Sequence, residues 1–121
     1  MILNKKVIVV TGGAGLLGKA FIKEILAHGG IAILTDINTS LAQEFIDEIK
    51  VEYPDHFYVA NMDITNKSSI NSLINDISKR YGGIDCLVNN AYPKNKNYGK
   101  QIENVSYEDF SENISTHVGG Y

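Results

Sequence analysis

"VVTGGAGLLGKAF", residues 9–21, sets Gly12, Gly13, Gly15 and Gly18 between a β-branched run and a helix-forming run. Glycine costs backbone entropy on folding, so four of them where a strand hands over to a helix need a compensating reason. One such reason is a ligand that has to approach the backbone itself. In a strand–turn–helix context, Gly12 turns the chain sharply and Gly15 lets the backbone approach a pyrophosphate. Gly18 lets the helix pack closely on the strand. The helix start offers unpaired N–H groups and a positive dipole end to phosphate. Thr11 is placed to tie the turn together through its hydroxyl. A tight turn without a ligand is the competing reading of the same residues.

Working outward, the periodicity alternates in kind. "KVIVVT" is a short apolar run of the sort found in a strand buried on both faces. Leu17, Phe21, Ile25 and Leu26 follow at helical spacing and stop before His28-Gly29-Gly30. "IAILTD" reads as a second buried strand. Asn38, Thr39 or Ser40 then caps a helix with Leu41, Phe45, Ile46 and Ile49 on one face, ended by Tyr53-Pro54. "FYVANMD" is a third strand. From Asn66 to Tyr81 a stripe of Ile70, Leu73, Ile74, Ile77 and Tyr81 marks a helix stopped by Gly82-Gly83. "IDCLVNN" is a fourth strand, and Ser106 with Asp109 resembles a capping box opening another helix. Alternation of this kind predicts an α/β fold: a Rossmann-type, doubly wound parallel sheet in the order 3-2-1-4, incomplete, with flanking helices. Residues 1–121 read as one dinucleotide-binding domain, the amino-terminal portion of a longer chain.

Asp36 strengthens the ligand reading. It ends the second strand roughly 20 residues beyond the turn, the offset at which a carboxylate meets the adenosine ribose hydroxyls. Such a carboxylate repels a 2′-phosphate, and no Arg or Lys lies between Asp36 and Ile49 to neutralise one. This favours NAD over NADP. Capping of the next helical segment is the alternative role for Asp36.

Composition bounds the rest. Hydrophobic residues at 44% and charged residues at 21% describe an ordinary globular domain. A net charge of −3 gives no electrostatic case for nucleic acid. No apolar run approaches the length of a membrane span, and no metal-ligand set stands out. The single cysteine, Cys86, reads as a small buried hydrophobe in a reducing, cytoplasmic protein.

"TGGAGLLG", "LTDIN", "NMDIT" and "LVNNA", in this order, resemble the short-chain dehydrogenase/reductase family, and the resemblance covers essentially the whole chain. Within the family the stretch is most similar to bacterial oxidoreductases of surface-glycan and flagellin-modification pathways. The resemblance implies hydride transfer between a nicotinamide cofactor and a small hydroxyl or carbonyl substrate, a sugar derivative among the candidates, in a homo-oligomer. It makes Thr11, Gly12, Gly15, Leu16, Leu17 and Gly18 cofactor-binding residues of the turn, with Asp36 on the ribose. It puts Asp63 on the adenine amino group, Ile64 beside the ring, and Asn90 and Ala91 near the cofactor ribose. Helix capping by Asp63 and a satisfied turn at Asn89 and Asn90 are the alternatives.

The chain also departs from the family pattern. The spacing TGxxGxxG belongs to the extended branch, whereas "NNA" belongs to the main branch, with Tyr92 in place of its usual glycine. Where the family carries a catalytic asparagine, "DFSENISTHVGGY" puts His117, with Asn113 one turn earlier. An imidazole there has the donor and acceptor to hold a proton-relay water. The family's serine and Tyr-x-x-x-Lys pair have no match in a helix. Tyr92 and Lys96 have the spacing but read as loop, so the pair is expected beyond residue 121. Residues 1–121 alone are therefore expected to be inactive. Lys94, Lys96 and Lys100 form a solvated loop or steer an anionic substrate. A non-catalytic module that senses NAD is the reading from another functional class.

Overall fold

The computed structural model describes residues 1–93 and 97–120, so Lys94, Lys96 and Tyr121 lie outside the described residues. These form two compact units, one over Met1–Ala91 and one from Tyr92 onward. The first holds a four-stranded parallel sheet of β1 (Val7–Val10), β2 (Ile31–Asp36), β3 (Phe57–Asn61) and β4 (Cys86–Val88). Its order is β3-β2-β1-β4, as the alternating pattern predicts.

Because side chains alternate across a strand, β1 and β2 feed two cores. Ile8, Val10, Ala32 and Leu34 face one side of the sheet, with α1 (Leu16–Ala27) and α2 (Gln43–Glu52). Val7, Val9 and Ile33 face the other, with Leu73 and Ile77 of α3 (Lys67–Tyr81). Asn66 caps α3 by accepting the Ser69 N–H, and Gly82 ends it at φ 86°. Capping of α3 thus falls to Asn66, not Asp63.

Three helix faces and one strand differ from expectation. In α1 the buried residues are Gly18, Ile22, Ile25 and Leu26, while Leu17 and Phe21 are exposed. Gly18 needs to lie against the turn, which sets the rotation of α1 and carries Leu17 and Phe21 to its flank. At the start of the next segment, Thr39–Ala42 forms a 3-10 turn before α2. This tighter winding puts Ala42, Phe45, Ile46 and Ile49 in the core and leaves Leu41 exposed. Asn38 precedes this turn without a side-chain cap bond. In α3, Ile74 falls on the margin of the stripe and is exposed. Cys86 is exposed rather than buried, because among the described residues β4 pairs with β1 alone and lies at the sheet edge.

The second unit carries α4 (Tyr107–Gly120). Its capping box is reciprocal: the Asp109 N–H donates to Ser106 Oγ at 3.0 Å, and the Ser106 N–H to Asp109 Oδ2 at 3.4 Å. Asn97 Nδ2 donates to Asp109 Oδ1 at 2.7 Å, and Lys100 Nζ lies 3.9 Å from Oδ2. The Asn97 amide, helped by Ser106 and Lys100, holds the Asp109 carboxyl below its ordinary range.

Candidate cofactor-binding site

The chain's connections fix where a ligand would sit. From β1 the crossovers lead outward to β2 and β3. The connection through α3 then returns to β4 on the other flank of β1. Beyond the carboxyl ends of β1 and β4 lies the crevice where the strand order reverses. Thr11 and the glycine turn follow β1 there, and Asn90 and Ala91 follow β4.

These two chain exits are bound together. Thr11 Oγ1 accepts the N–H groups of Asn90 and Ala91, each at 3.0 Å, and donates to the Val88 carbonyl at 3.4 Å. Asn90 Nδ2 donates to the carbonyls of Thr11 at 3.1 Å and Gly12 at 3.2 Å. The Thr11 hydroxyl, only 3% exposed as a residue, therefore ties the turn not to itself but to the end of β4.

The glycines divide by cause. Gly12 has φ 64°, and a Cβ there would stand 2.9 Å from Ala91 Cα. At Gly13 a Cβ would come within 2.6 Å of Leu34 Cγ, and at Gly18 it would strike the Gly12 carbonyl and stand 2.6 Å from Gly13 Cα. All three are required by the chain's own packing. Gly15 is not. Its backbone, φ −81° and ψ 176°, suits any residue. A Cβ would meet only the Gly12 carbonyl oxygen, at an ordinary 3.4 Å.

At Gly15 α1 begins without a side-chain cap and without an acidic residue in its first turn. Among the described residues, no acceptor meets the N–H groups of Leu16, Leu17 and Gly18. Side chains usually satisfy such groups. Here they form a donor set with the helix dipole behind it, suited to a diphosphate. The residues present thus fit the phosphates of a dinucleotide.

Asp36 lies beside the turn. Its Oδ2 accepts the Ala14 N–H at 3.1 Å and its Oδ1 the Asn38 N–H at 3.2 Å. Asp63 follows β3 and accepts the Thr65 hydroxyl at 2.6 Å and the Thr65 N–H at 2.9 Å. The hydroxyl, then the N–H, hold the Asp63 carboxyl below its ordinary range. Ile64 packs partly buried against the α3-side core. In the second unit, His117 stands edge-on to Tyr92 with ring centroids 4.2 Å apart, and the Tyr98 hydroxyl donates to that of Tyr92 at 3.4 Å.

Two participants escape the sequence reading. Gly13 gives a signal only as part of a dense glycine run, and its close approach to Leu34 needs the sheet to be seen. Ala14 contributes through its backbone, which no side-chain motif encodes.

The chain matches the family model described as short chain dehydrogenase over residues 6–121. It is 38% identical over 120 residues to "Post-translational flagellin modification protein A" of Campylobacter coli, covering 98% of this chain and 47% of that protein. It is 32% identical over 109 residues to "7alpha-hydroxysteroid dehydrogenase" of Bacteroides fragilis, covering 90% of this chain and 42% of that protein. The chain therefore spans about half the length of these relatives. A solved structure from Brucella melitensis, "Short-chain dehydrogenase/reductase SDR:Glucose/ribitol dehydrogenase", superposes with a TM-score of 0.83 at 24% identity, over 98% of this chain and 48% of that one. At that identity the likeness speaks for the fold.

Proposed function

The chain belongs to the short chain dehydrogenase family, and from that premise we propose that it forms the cofactor-holding part of an oxidoreductase that uses NAD. The observation that carries this reading is Gly15: the fold has room for a side chain there, so its absence is explained by a ligand that needs the backbone. The dinucleotide, when bound, supplies or accepts the hydride exchanged with a hydroxyl or carbonyl carbon of a small substrate.

The chain's residues divide the holding. The N–H groups of Leu16, Leu17 and Gly18 take the pyrophosphate, with Gly12 shaping the turn. Two carboxylate oxygens offer about four acceptor positions, so Asp36 keeps its two N–H partners and still receives ribose hydroxyls. Asp63 and Ile64 serve the adenine. Thr11, Asn90 and Ala91 form the floor on the β4 side and border the second ribose. His117 holds a proton-relay water from α4. Sugar derivatives are the first substrates to assay, because one relative is named a flagellin modification protein.

On α4, Tyr107, Phe110, Ile114 and Val118 are exposed at helical spacing, which supports association with a second copy. Among the described residues no helix is long and apolar enough to cross a membrane. The lone cysteine fits a reducing compartment, and we place the protein in the cytoplasm.

NAD is expected to bind the intact protein more than about tenfold tighter than NADP, since a 2′-phosphate would be set against the Asp36 carboxylate. Calorimetric titration of both cofactors checks this, and equal affinities would contradict it. Turnover of NADH with candidate keto-sugars, assayed in parallel, separates an enzyme from a sensor.

A further inference from the structure

The turn is tied to the end of β2 by two successive N–H groups. Gly13 donates to the Thr35 carbonyl at 2.9 Å, a backbone bond that depends on no side chain. Ala14 donates to Asp36 Oδ2 at 3.1 Å, a bond that depends on one side chain. The other carboxylate oxygen is held by the Asn38 N–H at 3.2 Å, and the Asp36 carbonyl accepts the Met62 N–H at 2.8 Å. The carboxylate thus spans from the loop after β2 to the glycine turn, and its own backbone is anchored to the chain leaving β3.

We infer that Asp36 is a positioning residue for the phosphate-binding turn, acting through Ala14, in addition to any contact with ribose. The Ala14 N–H belongs to the Gly13–Ala14 peptide, two peptide units ahead of the Leu16 N–H that opens the donor set. Fixing the Ala14 N–H orients that peptide plane and so restrains the turn from which the donors of Leu16 to Gly18 start. A hydrogen bond to a charged acceptor is stronger than a neutral one. A glycine-rich turn otherwise has wide conformational freedom, and preorganisation of this kind raises affinity by lowering the ordering cost of binding.

The inference rests on the dinucleotide reading, and it makes a different statement about cofactor preference. If Asp36 only recognises ribose, removing it relieves the repulsion of a 2′-phosphate, and NADP binds as well as before or better. If Asp36 also holds the turn, its removal weakens every ligand that uses the turn, NADP included. Asparagine does not replace it fully: one amide oxygen accepts one N–H, and the amide NH₂ then faces the other donor.

The test uses the intact protein and its Asp36→Ala variant, with two readouts. Hydrogen exchange at the Ala14 amide is measured without ligand, with the amides of β1 and β2 as internal controls for the fold. NAD and NADP affinities are measured by calorimetry. We expect Ala14 to exchange faster by about tenfold or more, the strand amides to be unchanged, and both cofactors to weaken by about tenfold or more. Unchanged exchange at Ala14, or an NADP affinity that holds or rises, overturns the inference. Should Asp36→Ala fail to fold, Asp36→Leu, which likewise removes both carboxylate acceptors, is read in the same two ways. Failure of the unmutated protein to bind either cofactor refutes the dinucleotide reading, and the Ala14 exchange still decides whether Asp36 holds the turn.

Discussion

Gly15→Val is expected to leave the intact protein folded and to abolish its binding of NAD. The backbone at this position already lies in the extended region that β-branched residues favour, at φ −81° and ψ 176°. A Cβ there meets a single atom, the Gly12 carbonyl oxygen, at 3.4 Å. The cost to the fold is confined to the loss of a tolerable helix-capping residue, about 1 kcal/mol. The cost to binding is much larger. The branched side chain occupies the ground in front of the N–H groups of Leu16, Leu17 and Gly18, so the phosphates lose those donors together. A loss of more than about a hundredfold in affinity follows from two or more charge-assisted hydrogen bonds. Thermal unfolding and calorimetric titration of the same sample read both halves. Undiminished binding would make Gly15 a turn residue and nothing more.

Three positions along, the same substitution is expected to do the opposite. Gly18→Val should prevent stable folding, with a loss of more than about 3 kcal/mol where folded protein can be measured. A Cβ at Gly18 would collide with the Gly12 carbonyl and stand 2.6 Å from Gly13 Cα. These are backbone atoms that a rotamer change cannot move. The turn they belong to is held on one side by the Thr11–Asn90 bonds and on the other by the Gly13–Thr35 bond, so α1 would have to lift from the sheet. Ile22, Ile25 and Leu26 would leave the core with it. Urea denaturation of the variant gives the number. A midpoint equal to that of the unmutated protein would mean that α1 has slack the structure does not show.

This pair of outcomes also marks how far the sequence could be read. Strand order was legible, because the buried runs at Val7–Val10 and Ile31–Asp36 alternate with helical stripes, and crossovers obey one hand. The capping box at Ser106 and Asp109 and the glycine stop after α3 were legible because they are local chemistry. The rotation of α1 was not. Leu17, Phe21 and Ile25 satisfy helical spacing as well as Gly18, Ile22 and Ile25 do, and periodicity carries no preference between neighbouring faces. Only the contact of Gly18 with the turn decides. Leu41 was misplaced for a related reason: a 3-10 turn changes the angular step for a few residues, which a count at the α-helical step does not register.

For the candidate site, the donors and the carboxylate were legible from glycine spacing and from the position of Asp36. The partners were not. Thr11 reaches across to Asn90 and Ala91, and Asp36 reaches back to Ala14. Those bonds join residues far apart in the chain that the sheet order brings together.

The most direct test of the account is a titration of the intact protein with NAD followed by backbone amide chemical shifts. The largest changes are expected on Gly12, Leu16, Leu17 and Gly18, with a second group at Asp36 and Asn38. Saturation that leaves these amides unmoved, or changes confined to residues away from the carboxyl ends of β1 and β2, would contradict the claim that this turn is the dinucleotide site.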